Sequence, residues 1–232
     1  MISKFKAIVI DVDGTITHPD RSINCDAVEL MRTLKVPIIL ATGNIYCYAR
    51  AASKLIGLEG AVIAENGGIY STSYDAKPKI TLNAIAECKK ALEYLKKHIH
   101  LSLLDSGDRK TEIALRRDFD VDYAKKILSS TNYDVEIVDT NYAIHIKNKN
   151  INKGTGLLNL SKELNLNLKD FIAIGDSEND REMLQSAGFS IALANADKLT
   201  KEKADIVTTS SYGDGAIEAI QYLLDKSMID KS

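Results

Sequence analysis

Two carboxylates close the first predicted strand of this chain, in Asp11-Val12-Asp13-Gly14-Thr15. The run ahead of them, Ala7-Ile8-Val9-Ile10, is apolar and mostly β-branched, the composition of a strand buried on both faces. In open α/β sheets, ligands bind in the crevice outside the carboxyl ends of the strands. Acids placed there serve that crevice and not the core. Alternate residues of an extended segment point to opposite sides, so Asp13 reaches the site of Asp11 only if the chain turns at Gly14. Two nearby carboxylates are costly unless a cation, a proton or a bound ligand compensates them. An ordinary Asp-Gly turn would also account for this segment taken alone.

A second strand ends the same way. Phe171-Ile172-Ala173-Ile174 runs into Gly175-Asp176-Ser177-Glu178-Asn179-Asp180, with a helix expected to start near Asn179. Capping and first-turn dipole compensation could explain one of these acids. They do not explain the same pattern at two strand ends, which are expected to form opposite walls of one site. Oxygen ligands of this kind suit Mg²⁺, which takes one or two carboxylates and keeps positions for water and phosphate.

Two further pieces fit between the acidic clusters. The strand Pro37–Ala41 ends in Thr42-Gly43-Asn44, ahead of a helix predicted from about Tyr46 to Ile56. A hydroxyl, a permissive glycine and amides at a helix N-terminus are good donors to phosphate oxygens; the same tripeptide is also an ordinary loop. Lys153, in Asn152-Lys153-Gly154, opens a helix running to about Leu164. A lysine there opposes the helix dipole. It is either a solvated surface residue or an ammonium that neutralises phosphate and holds the carboxylates together.

In this order, the four pieces resemble the haloacid-dehalogenase-like superfamily of aspartyl phosphatases: Asp11-Val12-Asp13-Gly14-Thr15, Thr42, Lys153, and Gly175-Asp176 with Asn179-Asp180. The resemblance covers essentially the whole chain. Its length, Thr42-Gly43-Asn44 and Glu65-Asn66-Gly67-Gly68 are similar to the large-cap branch, and there to archaeal phosphoglycolate phosphatases and their sugar-phosphatase relatives. Many of the latter carry Arg where this chain has Asn44, which shifts the reading towards the phosphoglycolate group.

The resemblance implies an Mg²⁺-dependent phosphatase acting on a small phosphorylated metabolite, with 2-phosphoglycolate as the first expectation. Asp11 would attack phosphorus and form an aspartyl-phosphate, splitting hydrolysis into two easier steps. Asp13 would protonate the leaving oxygen and then deprotonate water, a role worth about 10²–10⁴-fold. Asp11, Asp13 (through its backbone carbonyl) and Asp176 would hold the metal, and Asp180 would do so directly or through water. Thr42, Gly43, Asn44 and Lys153 would hold phosphoryl oxygens. A sugar phosphatase, a phosphomutase or an idle Mg²⁺/phosphate-binding module are the alternative readings; the intact acid pair at Asp11 and Asp13 argues against the last.

Composition agrees with a soluble enzyme. The 232 residues suffice for one large or two modest domains, and 45% hydrophobic with 27% charged residues is normal for a globular chain. A net charge of −2 offers no basic footprint for nucleic acid. No stretch has the apolar length of a membrane span, and the N-terminus lacks a signal-peptide core. A cytoplasmic monomer or homodimer is expected. Cys25, Cys47 and Cys88 are an odd number at wide spacing, which fits a reducing compartment and neither zinc nor disulfides. Cys88 is assigned to packing. His18, His98 and His100 lack metal-site spacing.

Organisation along the chain gives the architecture that must position these residues. Residues 1–82 and 152–232 alternate strand and helix, implying a Rossmann-like parallel sheet with helices on both faces. The first helix has Ala27, Leu30, Met31 and Leu34 at helical spacing, with Asn24 as N-cap. Residues 83–151 read as helix-strand-strand written twice, an inserted α+β cap with a four-stranded antiparallel sheet. Its helices carry Cys88, Leu92, Leu95, Ala124 and Leu128 on one face. Its strands turn Ile113, Leu115, Ile144 and Ile146 towards those helices. Glu112, Arg116, His145 and Lys147 fall on the other face, which either faces water or roofs the active site. Arg109, in a turn of the cap, is the first candidate for a substrate carboxylate and Arg116 the second, since Arg recognises carboxylates bidentately.

Overall fold

The computed structural model describes residues 5–140 and 142–231. Residues 1–4, Asn141 in a predicted cap turn, and the terminal Ser232 lie outside them. The chain runs through β1 (Ala7–Asp11), α1 (Cys25–Arg32), β2 (Ile38–Ala41), α2 (Tyr46–Ile56) and β3 (Val62–Ala64). Asn24 caps α1, its side chain accepting from the Ala27 amide. A short extended pair follows, β4 (Ile69–Ser71) and β5 (Lys79–Ile80), which starts just after Pro78.

The next elements are α3 (Ala84–Leu95), β6 (Leu103–Leu104), β7 (Ile113–Leu115), α4 (Val121–Ser129), β8 (Val135–Asp139) and β9 (Ile144–Asn148). Alternation then resumes with α5 (Lys153–Glu163), β10 (Phe171–Gly175), α6 (Arg181–Ser186), β11 (Phe189–Ala192), α7 (Lys198–Lys201), β12 (Ile206–Val207) and α8 (Tyr212–Asp225).

The large sheet has the order β12-β11-β10-β1-β2-β3-β4-β5. It is parallel from β12 to β3, and β4 and β5 extend it antiparallel. Residue alternation in β1 covers both faces. Ile8 and Ile10 pack with Met31, Ile220 and Leu223 of α1 and α8. Ala7 and Val9 pack with Leu157, Leu160, Met183 and Leu184 of α5 and α6. β10 lies directly beside β1, with Ile10 opposite Ile174. The two acidic strand ends are therefore neighbours, not the opposite walls expected from sequence. The chain leaves β1 towards β2 on one side and returns to β10 on the other, so the acids sit at a topological switch point.

The second sheet has the order β6-β7-β9-β8 and is antiparallel throughout. Ile113, Leu115, Ile144 and Ile146 pack against Cys88, Leu92, Leu95, Ala124 and Leu128 of α3 and α4. The opposite face is not wet. Glu112, His145 and Lys147 are buried, whereas Arg116 is exposed.

Two boundaries differ from the sequence reading for local reasons. A single 3-10 turn spans Glu178–Asp180, so α6 starts only at Arg181. The apolar periodicity of the sequence predicts a final helix over Ala216–Leu224, but α8 starts at Tyr212, because Gly213 and Gly215 in its first turn hide that periodicity. Gly213 is needed there: a Cβ would come within 2.3 Å of Asn24. No helix among the described residues is long and apolar enough to cross a membrane.

Candidate active site

The turn after β1 is built on Val12, whose carbonyl accepts from the Thr15 and Ile16 amides. Gly14 takes φ +90°, and a Cβ on it would meet Asp176 Oδ2 at 2.5 Å. Glycine is therefore required on both conformational and steric grounds. The turn brings Asp13 back over the strand end, where its carboxylate accepts from Arg21 Nε at 2.8 Å and Asn44 Nδ2 at 2.6 Å. Thr15 Oγ1 donates to Asp176 Oδ1 at 3.0 Å, tying the two strand ends together.

Lys153 is the first residue of α5, behind the capping box of Asn152 and Thr155. Its side chain is fully buried, with Nζ 2.5 Å from Asp11 Oδ1 and 2.7 Å from Asp180 Oδ1. Burial alone would lower its pKa, but Asp11 and Asp180 outweigh it and hold the ammonium above its usual value. The solvated-lysine reading is thus excluded. Asp180 also accepts from the Asp176 and Ser177 amides, both at 3.0 Å, so it caps its turn as well as binding Lys153. Asp176 Oδ2 accepts from Asn195 Nδ2 at 2.8 Å.

Asp11, Asp176 and Asp180 offer ligand oxygens that all lie within 4.8 Å of one another. Three buried carboxylates face one ammonium. Burial lifts Asp11 well above the usual carboxylate range, with Lys153 pulling the other way. Burial, then the Asp180 charge, lifts Asp176 to about 7. Asp11 Oδ2 is buried and has no hydrogen-bond partner among the described residues. An excess of buried negative charge and a free carboxylate oxygen fit a divalent cation held by oxygen donors.

Thr42 is buried, and its Oγ1 accepts from the Asn44 amide at 3.0 Å. Gly43 approaches Asn66 so closely that a Cβ would lie 3.1 Å from its side-chain oxygen. Thr42, Gly43 and Asn44 line a cavity of about 330 Å³ together with Asp11 and Asp13. The cap contributes Arg109, His145 and Tyr142 to the same cavity. Arg116 does not reach it.

Arg109 is not a solvated turn residue. Its Nη1 donates to the Gly43 carbonyl at 2.9 Å and pairs closely with Glu112. Glu112 also binds His145 Nδ1 at 2.8 Å and accepts from Asn66 Nδ2 at 2.8 Å. Burial would raise the Glu112 pKa, but His145, followed by Arg109, outweighs it and keeps the carboxylate low. Asn66 accepts in turn from Asn179 Nδ2 at 2.8 Å. This chain of contacts joins the cap face to the Thr42-Gly43-Asn44 loop and to the second acidic loop.

Sequence reasoning missed Arg21, Asn66 and Asn195 as parts of the site. Asn195 carried a readable signal, since it lies just past the buried strand Phe189–Ala192. Arg21 carried none, because its turn residues describe only a loop.

A family model for haloacid dehalogenase-like hydrolases matches residues 8–113 and 116–220. A phosphoglycolate phosphatase of Methanosarcina acetivorans is 56% identical over 220 residues, covering 95% of this chain and 97% of that protein. One from Archaeoglobus fulgidus is 46% identical over 220 residues, with coverage of 95% and 97%. A solved structure from Thermoplasma acidophilum has a TM-score of 0.84 at 28% identity, covering 95% of this chain and 98% of that one. A sugar phosphatase of solved structure shares the fold, with a TM-score of 0.76 at 18% identity and coverage of 97% and 100%. The acid pair, the buried lysine, the second acidic loop and these matches agree: the chain belongs to the haloacid dehalogenase-like hydrolases and is a phosphatase of that family.

Proposed function

We propose that the protein hydrolyses 2-phosphoglycolate to glycolate and phosphate, with Mg²⁺ as its metal. The observation that carries the substrate is the identity of 56%, over nearly its whole length, to a relative named phosphoglycolate phosphatase. A cavity of about 330 Å³ is of a size that suits a small substrate. Residues 83–151 act as its cap and residues 1–82 and 152–232 as its core.

Asp11 is the nucleophile. Its Oδ2 has no hydrogen-bond partner among the described residues, while Oδ1 is held by Lys153. Attack on phosphorus forms the aspartyl-phosphate and breaks the bond to the glycolate oxygen, which takes a proton from Asp13. Asp13 then accepts a proton from water. That water attacks phosphorus, breaks the bond to Asp11 and releases phosphate. Asn44 orients Asp13 through its side-chain amide. Lys153 has three donors and two carboxylate partners, which leaves one for a phosphoryl oxygen. Thr42 and the amide of Gly43 stabilise the remaining phosphoryl charge. Asp11, Asp176, Asp180 and the Asp13 carbonyl would hold a divalent cation, which offsets the charge of the phosphate dianion against the carboxylates. Arg109 forms the cap wall of the cavity.

The test is phosphate release by metal-free protein across small phosphorylated acids and sugar phosphates, before and after Mg²⁺ addition. Activity that needs the metal and is highest on 2-phosphoglycolate is expected. Highest turnover on a sugar phosphate would overturn the substrate, and full activity in the chelated protein would overturn the metal.

A further inference from the structure

We infer that Arg21 recognises the carboxylate of the substrate, and that it does so by exchanging Asp13 for that carboxylate. The inference rests on the proposed 2-phospho acid substrate. In such an acid the carboxyl carbon lies two bonds from the ester oxygen. Asp13 must come within hydrogen-bond reach of that oxygen to protonate it. The cation that meets the carboxylate must therefore be a close neighbour of Asp13. Arg21 is that neighbour, with Nε 2.8 Å from Asp13 Oδ1.

The local structure presents Arg21 for this role. Thr17 bridges to Ile23, and His18 and Ser22 are joined by a backbone hydrogen bond of 2.8 Å. Asp20 fastens the tip by accepting from the Ser22 amide and hydroxyl. Arg21 sits in this tied hairpin at φ +69°. Its guanidinium lies 5.0 Å from the Tyr142 ring of the cap, so it stands between core and cap. Its side chain is 45% exposed, and its two terminal nitrogens have no hydrogen-bond partner among the described residues. With Nε, one of them forms the side-on pair of N–H donors that a carboxylate takes bidentately, once Asp13 gives up Nε.

Arg109, the cation expected from sequence, is placed differently. Its side chain is 4% exposed and is pinned by the Gly43 carbonyl and by Glu112, whose charge it shares with His145. Drawing it to a substrate would unseat the cap from the core. Its Nε has no hydrogen-bond partner among the described residues, which makes it the competing cation in any test.

The exchange has a kinetic consequence. A substrate carboxylate replaces the Asp13 carboxylate at Arg21, with no net change of charge there, and frees Oδ1 of Asp13 for the ester oxygen. An ester without a carboxylate leaves Asp13 tied. The class recognised is thus small 2-phospho acids, with the carboxylate adjacent to the ester carbon.

The experiment compares kcat and KM for 2-phosphoglycolate and for ethyl phosphate, which lacks the carboxylate, with Mg²⁺ present. Wild type, Arg21→Ala, Arg21→Lys and Arg109→Ala are measured, and thermal melts establish that each is folded. The ratio of kcat/KM between the two substrates is the readout. Arg21→Ala should lower it roughly ten- to a hundredfold, mainly through KM for 2-phosphoglycolate. Arg21→Lys should retain part of the preference, as a point charge without the fork. Arg109→Ala should lower both activities and leave the ratio near that of the wild type. An unchanged ratio in Arg21→Ala, or loss of the ratio only in Arg109→Ala, overturns the inference and leaves the proposed function standing. A wild type with no preference for 2-phosphoglycolate overturns both.

Discussion

Lys153 offsets part of the charge of the site, and its two partners make opposite demands on it. Asp11 is the proposed nucleophile and needs a free oxygen, while Asp180 is held as part of the wall by Lys153 and two amides. Removing the ammonium would leave both carboxylates buried without compensation. Breaking a buried pair in this way costs about 3–5 kcal/mol. Lys153→Met is therefore expected to lower stability by about that amount and to abolish turnover, read by denaturant unfolding and phosphate release. Asp11→Asn should behave differently. Burial raises the Asp11 pKa, so its charge strains the metal-free fold. The amide should leave stability unchanged or higher while turnover disappears. Rapid quench of the wild type should trap phosphate on Asp11, and label on another residue would refute the nucleophile.

The loop joining β3 to β4 locks the cap onto the core. Glu65 and Asn66 both occupy the left-handed region, at φ 47° and 51°. Glu65 accepts from the Thr111 amide and hydroxyl, each at 2.7 Å, and from the Lys110 amide. Gly68 lets Thr111 approach, since a Cβ would fall 2.0 Å from its hydroxyl. Gly67 does the same for the Asn152 carbonyl, also at 2.0 Å, and so governs where α5 begins and where Lys153 stands. Glu65→Ala leaves these donors unsatisfied, at about 1–3 kcal/mol for a buried group. Hydrogen exchange at the Lys110 and Thr111 amides should accelerate, and KM should rise more than kcat falls. Exchange unchanged at those amides would show that the cap is seated elsewhere.

The molecule as a whole holds more buried negative charge at its acidic centre than Lys153 compensates, and this sets its response to pH. The Asp176 pKa is raised from 3.8 to about 7, by burial first and Asp180 second. A carboxyl raised in the folded state favours folding while it is protonated. That contribution is fully present below the unfolded value and is lost as pH rises through the folded value. Metal-free protein should therefore lose stability between about pH 4 and pH 7, by a few kcal/mol at roughly 1.4 kcal/mol per unit. Mg²⁺ at a hundredfold its Kd should restore about 2.7 kcal/mol. Melting temperatures across that pH range, with and without Mg²⁺, check both statements. A metal-free protein that gained stability over the same interval would contradict them.

Most of the core was legible because buried parallel strands write themselves as apolar runs, and because polar residues at their ends have no packing role to explain them. Asp11, Asp13, Asp176, Asp180 and Thr42 could all be singled out on that ground. The cap was legible from its period, which changes after Asn83 and repeats helix-strand-strand. Lys153 was ambiguous in sequence, since a helix N-terminus does not say whether its first residue meets water or two carboxylates. Packing of α5 on the sheet face that carries Val9 and Ala173 answered that. The burial of Glu112, His145 and Lys147 was equally hidden, because strand alternation assigns a face but not what covers it. The adjacency of the two acidic ends and the clamp of Arg109 on Gly43 join residues distant in the chain. Local propensity carries residue type and period; distances between remote segments exist only once the sheet order and the seating of the cap are set.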